Sequence, residues 1–198
     1  VVGKYVDRAL VDDMFGESTY EKAECKMLTF AIQTAIKNAA LEEEGIDLMI
    51  SGDLLNQIIT ANFAARELAI PFLGLYGACS TMAESLLLGS MLIDGGYAGH
   101  VACAATSHFS TAERQYRFPL EMGGQTTPTA QRTVTGAGSS LLVEAGYAGG
   151  AQFRHIFVTG GTIGRVVDLG ITDANNMGAA MAPAACDTIL THLKDTGR

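Results

Sequence analysis

The chain has 198 residues and a mass of 20.8 kDa, and 48% of it is hydrophobic against 17% charged, so it can bury a sizeable core and is not a disordered tail or solvating linker. Its 13 basic and 21 acidic side chains give a net charge of −8, which sets it far from the basic surface a non-specific nucleic-acid binder needs.

Ser18-Thr19-Tyr20-Glu21 has capping-box spacing and opens a first helix. Ala23, Met27, Phe30, Ala31, Thr34 and Ala35 recur along it at helical intervals, and Gly45 after three glutamates is the expected stop. Asp47 to Ser51 is an apolar run of strand length. Leu55, Ile58, Ile59, Asn62, Phe63 and Arg66 mark a second helix that Pro71 prevents from continuing. Phe72 to Tyr76 reads as a second buried strand. A third helix starts from Ser80 or Thr81, holds Leu87, Leu88, Met91 and Leu92, and ends before Gly95-Gly96. His100 to Ala105 is a third strand.

Strands alternating with helices over short connections predict a mostly parallel sheet covered on both faces. From Thr106 to Arg132 the pattern gives way to a long polar stretch with two prolines. Ser139 to Glu144 and Gln152 to Thr159 read as two more strands, paired as a hairpin across Ala145 to Ala151. Gly160 to Gly178 is a second polar loop, and Pro183 suits the first position of a last helix over about Ala184 to Lys194. The longest apolar run, Leu68 to Ala83, is 16 residues and is interrupted by Pro71, Gly74 and Gly77, too short and too broken for a spanning helix. Val1 to Gly16 has no signal-peptide character.

Residues 106–170 carry five basic side chains, Arg114, Arg117, Arg132, Arg154 and Arg165. All are arginines, the side chain best shaped to hold a carboxylate bidentately, and they fall in or beside the two loops. Four cysteines lie far apart without a Cys-x-x-Cys pair, which predicts free thiols and neither a disulfide frame nor a zinc site. Cys79 differs from the others by position. It follows a buried strand and opens a helix, after small Gly77 and Ala78, where unpaired N–H groups and the helix dipole favour a thiolate. The same position suits a small buried hydrophobe equally well. Cys25, Cys103 and Cys186 read as structural. A nucleophilic cysteine needs a base, and His108, just beyond the third strand, is the histidine that shares the sheet edge with Cys79. No Asp/Glu/His spacing suggests a metal, and the glycines at 136–138 and 160–164 do not complete a nucleotide-binding motif.

Gly77-Ala78-Cys79-Ser80 resembles the nucleophile turn of thiolase-fold condensing enzymes, and Thr133-Val-Thr-Gly136-Ala-Gly138 resembles a glycine-rich strand entry of the same group. Four longer strings are similar to the stage V sporulation protein AD family: Tyr20 to Glu24, Gly52 to Gln57, Thr111 to Arg117, and Thr162 to Gly170 continuing through Met177 to Ala185. The resemblance implies an α/β thiolase-like fold, comprising the first βαβαβ half and the start of the second. Residues 1–170 would form the N-terminal half without its first strand, and residues 171–198 a linker and first helix leading into the second half. A half-fold of that kind is expected to expose an apolar face and to depend on a partner for solubility.

The resemblance further implies a non-catalytic protein that binds dipicolinic acid and supports its uptake into the developing endospore, with no cofactor. It implies a peripheral position at the inner spore membrane beside the membrane subunits of the same transport system, and a homodimer formed through the strand at His100 to Ala105. The ligand, a flat dianion carried free or as its calcium chelate, would need cationic forks, N–H donors and a slot for its ring. The expected contacts are Cys79, Ser80, His108, Arg114, Tyr116, Arg117 and Arg165. The alternative is an acyl-transferring condensing enzyme with Cys79 as nucleophile. Against it stand Thr81 and Met82, bulkier than the residues many thiolases carry there.

Overall fold

The computed structural model describes residues 5–55, 58–116, 133–147, 156–173 and 176–197, with side chains through Ala112 in the second of these stretches. The elements are α1 (Tyr20–Asn38), β1 (Leu48–Gly52), α2 (Ile59–Leu68), β2 (Phe72–Gly74), α3 (Thr81–Asp94), β3 (His100–Ser107), α4 (Phe109–Tyr116), β4 (Gly136–Val143) and α5 (Met177–Asp195). The sheet order is β2-β1-β3-β4. β1 runs parallel to both β2 and β3, with Met49 opposite Phe72 and Leu48 opposite Val101, and β4 closes the sheet antiparallel to β3. The expected parallel α/β sheet is present, and β4 pairs with β3 where a hairpin with 152–159 was expected. Within that second run, 156–159 has no regular structure, and Gln152 to His155 lie outside the described residues. β3 is an interior strand, both of its edges already paired, so the edge contact expected of His100 to Ala105 is not open to a second copy; the outer strands are β2 and β4.

Alternation along the strands divides the core in two. Met49, Ala102 and Ala104 face one side, where Leu28, Ile32 and Ile36 of α1 and Ala61, Ala64 and Leu68 of α2 cover them. Ile50, Val101 and Cys103 face the other, under Leu86, Leu88 and Leu92 of α3. Truncating Leu28, which is fully buried, to alanine is expected to cost about 2–5 kcal/mol, read as a lowered denaturation midpoint.

Several local expectations shift. α1 is capped by Thr19, whose hydroxyl accepts from the Lys22 N–H, one residue beyond the predicted cap. Its buried face is Ala23, Glu24, Met27, Leu28, Ile32 and Ile36, while Phe30, Ala31, Thr34 and Ala35 are half-buried on its flank. The helix stops well before Gly45 because Ala40 turns left-handed (φ 57) and the Leu41 N–H reaches back to the Ile36 carbonyl. α2 buries its alanines, not Ile59 and Phe63, which are 42% and 48% exposed; small side chains let it lie close to α1 and the sheet. α4 occupies the start of the stretch expected to be irregular. α5 begins at Met177, and Pro183 lies inside it. Asn176 supplies the cap, its side-chain oxygen accepting from the Ala179 N–H.

Candidate functional site

The carboxyl ends of β1, β2 and β3 meet the first turns of α2, α3 and α4, and the chemistry-bearing residues gather at these junctions. After β2 the chain makes a 3-10 turn, Ala78–Ser80, and enters α3 at Thr81. Ala78 is held at φ 49, a conformation that a residue with a Cβ rarely adopts and that often marks a functional turn. The turn leaves the Cys79 thiol exposed. Ser80 donates its hydroxyl to the Gly77 carbonyl at 3.0 Å and so braces the turn instead of capping α3. A Cβ at Gly77 would displace the Glu84 carboxylate, which folds back from the first turn of α3, and the Ser80 hydroxyl that braces the turn. The third cysteine, Cys103, is of the opposite kind. It is sealed between β3 and α3, donates to the Ser85 carbonyl at 3.2 Å, and burial pushes its thiol up to about 12.

His108 is completely buried at the end of β3. Its Nδ1 accepts the Ser110 N–H, which places the ring proton on Nε2, and Nε2 donates to the Asp13 carbonyl at 2.9 Å. Its ring is stacked with Phe109 and tilted against Tyr20, the centroids 5.4 and 4.7 Å apart. Both nitrogens are therefore committed within the fold. Arg165, on the segment 156–173, which has no regular secondary structure, grips Asp187 of α5 bidentately, its Nε and Nη2 donating at 2.9 and 2.8 Å. The pairing holds the Asp187 carboxyl below its usual range. Arg114 and Tyr116 lie on α4 and their side chains, like the whole of Arg117, fall outside the described residues. The junctions thus bring Cys79, Ser80 and the start of α4 to one end of the sheet, while Arg165 is engaged with α5.

Two buried carboxyls at the same end were not singled out from sequence. Asp53, immediately after β1, accepts the Ala61 N–H at 2.7 Å and the Leu55 N–H at 2.8 Å and so caps α2, whose formal cap residue, Ile58, has no side chain able to do so. Its placement after Gly52 and before a helix was a legible cap signal. Glu24 of α1 is fully buried, and the Thr111 hydroxyl of α4 lies 3.0 Å from its Oε2. Desolvation, reinforced by the nearby Asp53 and Glu21 charges, raises Glu24 to about 8. Glu24 stands four residues before Leu28 on the inward face, the signal that could have found it. Among the described residues no helix is long and apolar enough to cross a membrane, and no group of three His, Cys, Asp or Glu is placed to hold a metal ion.

The family model for stage V sporulation protein AD matches residues 1–198. The chain belongs to the stage V sporulation protein AD family. It is 44% identical over 197 residues to stage V sporulation protein AD of Bacillus subtilis (strain 168), a match that covers all of this chain and 56% of that protein, so the chain spans little more than half the length of its relative. Among solved structures it is similar to a fungal type III polyketide synthase, with a TM-score of 0.60, 17% identity, and 89% of this chain and 54% of that one covered. It is also similar to 3-oxoacyl-[acyl-carrier-protein] synthase III from Aquifex aeolicus VF5, with a TM-score of 0.50 and 21% identity over 62% of this chain and 39% of that one. At these identities the likeness establishes the fold, which is thiolase-like. The chain thus shares its fold with these two synthases.

Proposed function

We propose that this chain is the ligand-holding part of a non-catalytic thiolase-fold protein that binds dipicolinic acid and supports its uptake into the developing endospore. The observation that carries this reading is the contrast between Cys79 and His108. The thiol sits exposed on its turn, while the histidine beyond β3 has both nitrogens bonded inside the fold and none to offer a thiol. A histidine engaged in this way is not the base that acyl transfer needs beside its nucleophile, and this supports recognition over catalysis. The ligand's two carboxylates would be held by Arg114 and Arg117 near α4, its ring against Tyr116, with Cys79 and Ser80 forming the adjoining wall. Arg165 would join only by exchanging Asp187 for the ligand. In this reading the protein works as a homodimer at the inner spore membrane beside the membrane subunits of the same system, and takes its ligand free or as the calcium chelate.

Calorimetric titration of the chain with dipicolinate should show saturable binding. Arg114→Ala and Arg117→Ala should each weaken it roughly 10-fold or more, the worth of a charge-assisted hydrogen bond. Unchanged affinity in both variants would remove the arginine-based recognition. Incubation with an acyl-CoA followed by mass spectrometry should leave Cys79 unmodified; an acyl adduct on that thiol would overturn the non-catalytic reading.

A further inference from the structure

We propose that a cleft between the N-terminal segment and α1 is a second binding site, for a small monocarboxylate with a flat apolar body. The cleft measures about 560 Å³, within the range of small-molecule sites, and is lined by Arg8, Phe15, Lys26, Phe30, Gln33 and Glu67. It shares none of these residues with the Cys79 turn.

The cations define the ligand's charge. The Arg8 guanidinium stands over two phenyl rings at once, 5.0 Å from the Phe15 centroid and 4.8 Å from that of Phe30. A guanidinium carries five N–H donors, and among the described residues that of Arg8 meets no carboxylate. Lys26 is different: its Nζ donates to Glu17 at 2.8 Å and to the Phe15 carbonyl at 3.0 Å, so its charge is already neutralised. Glu67 adds a negative charge to the same lining. One cation therefore remains for the ligand, and a second carboxylate would meet Glu67. This selects a monoanion and distinguishes the cleft from a site for a dianion.

The aromatic wall is held in place. Phe15 and Phe30 meet edge to face at 6.1 Å. Phe15 adopts φ 50, unfavourable for a bulky residue, and Asp12 fixes the turn by accepting the Phe15 and Met14 N–H groups, both at 2.9 Å. The two rings and the guanidinium thus form a preset corner, with apolar ring carbon for a flat body and N–H donors for its carboxylate.

The test is titration of the chain with sodium benzoate, followed by amide chemical shifts, and does not depend on dipicolinate binding. Saturable shifts are expected around Phe15 and the middle of α1, with acetate, which lacks a ring, and isophthalate, which adds a carboxylate, each at least 10-fold weaker. Arg8→Ala should weaken benzoate at least 10-fold and Arg8→Lys, which keeps the charge and loses the fork, at least 3-fold. Glu67→Gln should narrow the gap between isophthalate and benzoate. Benzoate shifts that do not saturate, or that are unaltered in a folded Arg8→Ala, would overturn the assignment; if Arg8→Ala unfolds, unaltered affinity in Arg8→Lys overturns it equally.

Discussion

Replacing Glu24 with glutamine should stabilise the protein at alkaline pH and flatten its stability profile. The carboxyl rises to about 8 in the fold from an ordinary value of 4.5, chiefly through desolvation. A raised carboxyl means that the folded state binds more protons than the unfolded state between those two values. Stability is then fully present at low pH, falls as pH rises from about 4.5, and levels off above 8. Hydrogen-bond geometry agrees with a neutral acid. The Thr111 hydroxyl has one proton and lies 3.0 Å from both the His108 carbonyl and Glu24 Oε2. Since the carbonyl can only accept, Thr111 serves both partners when it donates to His108 and receives the proton of a neutral Glu24. Burial raises Asp53 as well, so its slope has the same sign, whereas Asp47, held low by the His100 and Gly99 N–H groups, acts at the acidic end. Denaturation of Glu24→Gln at pH 8.5 should show a gain on the order of 4 kcal/mol over the parent, shrinking toward nothing at pH 5. A variant weaker than the parent at pH 8.5 would show that Glu24 is ionised and satisfied in the fold. Because Glu24 joins α1 to the first turn of α4, its ionisation should also loosen the helix that carries Arg114 and Tyr116.

Gly52→Ala is expected to be severely destabilising, by roughly 3 kcal/mol, and to disturb the Cys79 turn with it. Gly52 ends β1 where β2 and α3 converge. A Cβ there would run into the Leu75 backbone carbonyl and lie 3.1 Å from Thr81 Cγ2. The colliding atom is main chain, tied to β1 through the Leu75 N–H bond to the Ser51 carbonyl at 2.9 Å, so it cannot swing aside. Relief requires β2 and the entry to α3 to move, which displaces Ala78 and Cys79. The measurement is a paired one, denaturation together with the rate at which a thiol reagent labels Cys79. Gly136→Ala serves as the control, since a Cβ at that position meets nothing within 4 Å. Equal stability of the two variants would mean that the strand ends yield easily.

The alternation of strands and helices was legible because each strand is a short apolar run closed by a turn residue, and each helix presents an apolar stripe. The position of Cys79 at a strand–helix junction was legible for the same reason. Less visible was which stripe faces inward. On α2 the larger side chains, Ile59 and Phe63, look outward, because alanines permit the closer approach to α1 that the core needs. Pro183 suggested a helix start, but Asn176 caps α5 earlier and a proline six positions into a helix is accommodated. Glu24 escaped notice because a glutamate is ordinarily read as surface; packing of α1 against α2 and α4 encloses it. The partner of β4 depended on which strand lay nearest in space, and local pattern carries no such information.

The β1–β3 register has a kinetic consequence. Leu48 can meet Val101 only after everything between them, α2, β2 and α3, has been gathered to one side or the other. Each parallel pair in this sheet therefore demands closure of a long loop before any ladder bond compensates for it, and local helix formation cannot supply the contact in advance. The rate at which the chain reaches its native state is set by that ordering, and until the centre of the sheet zips up, β1 and β3 present bare apolar strands to any neighbouring molecule.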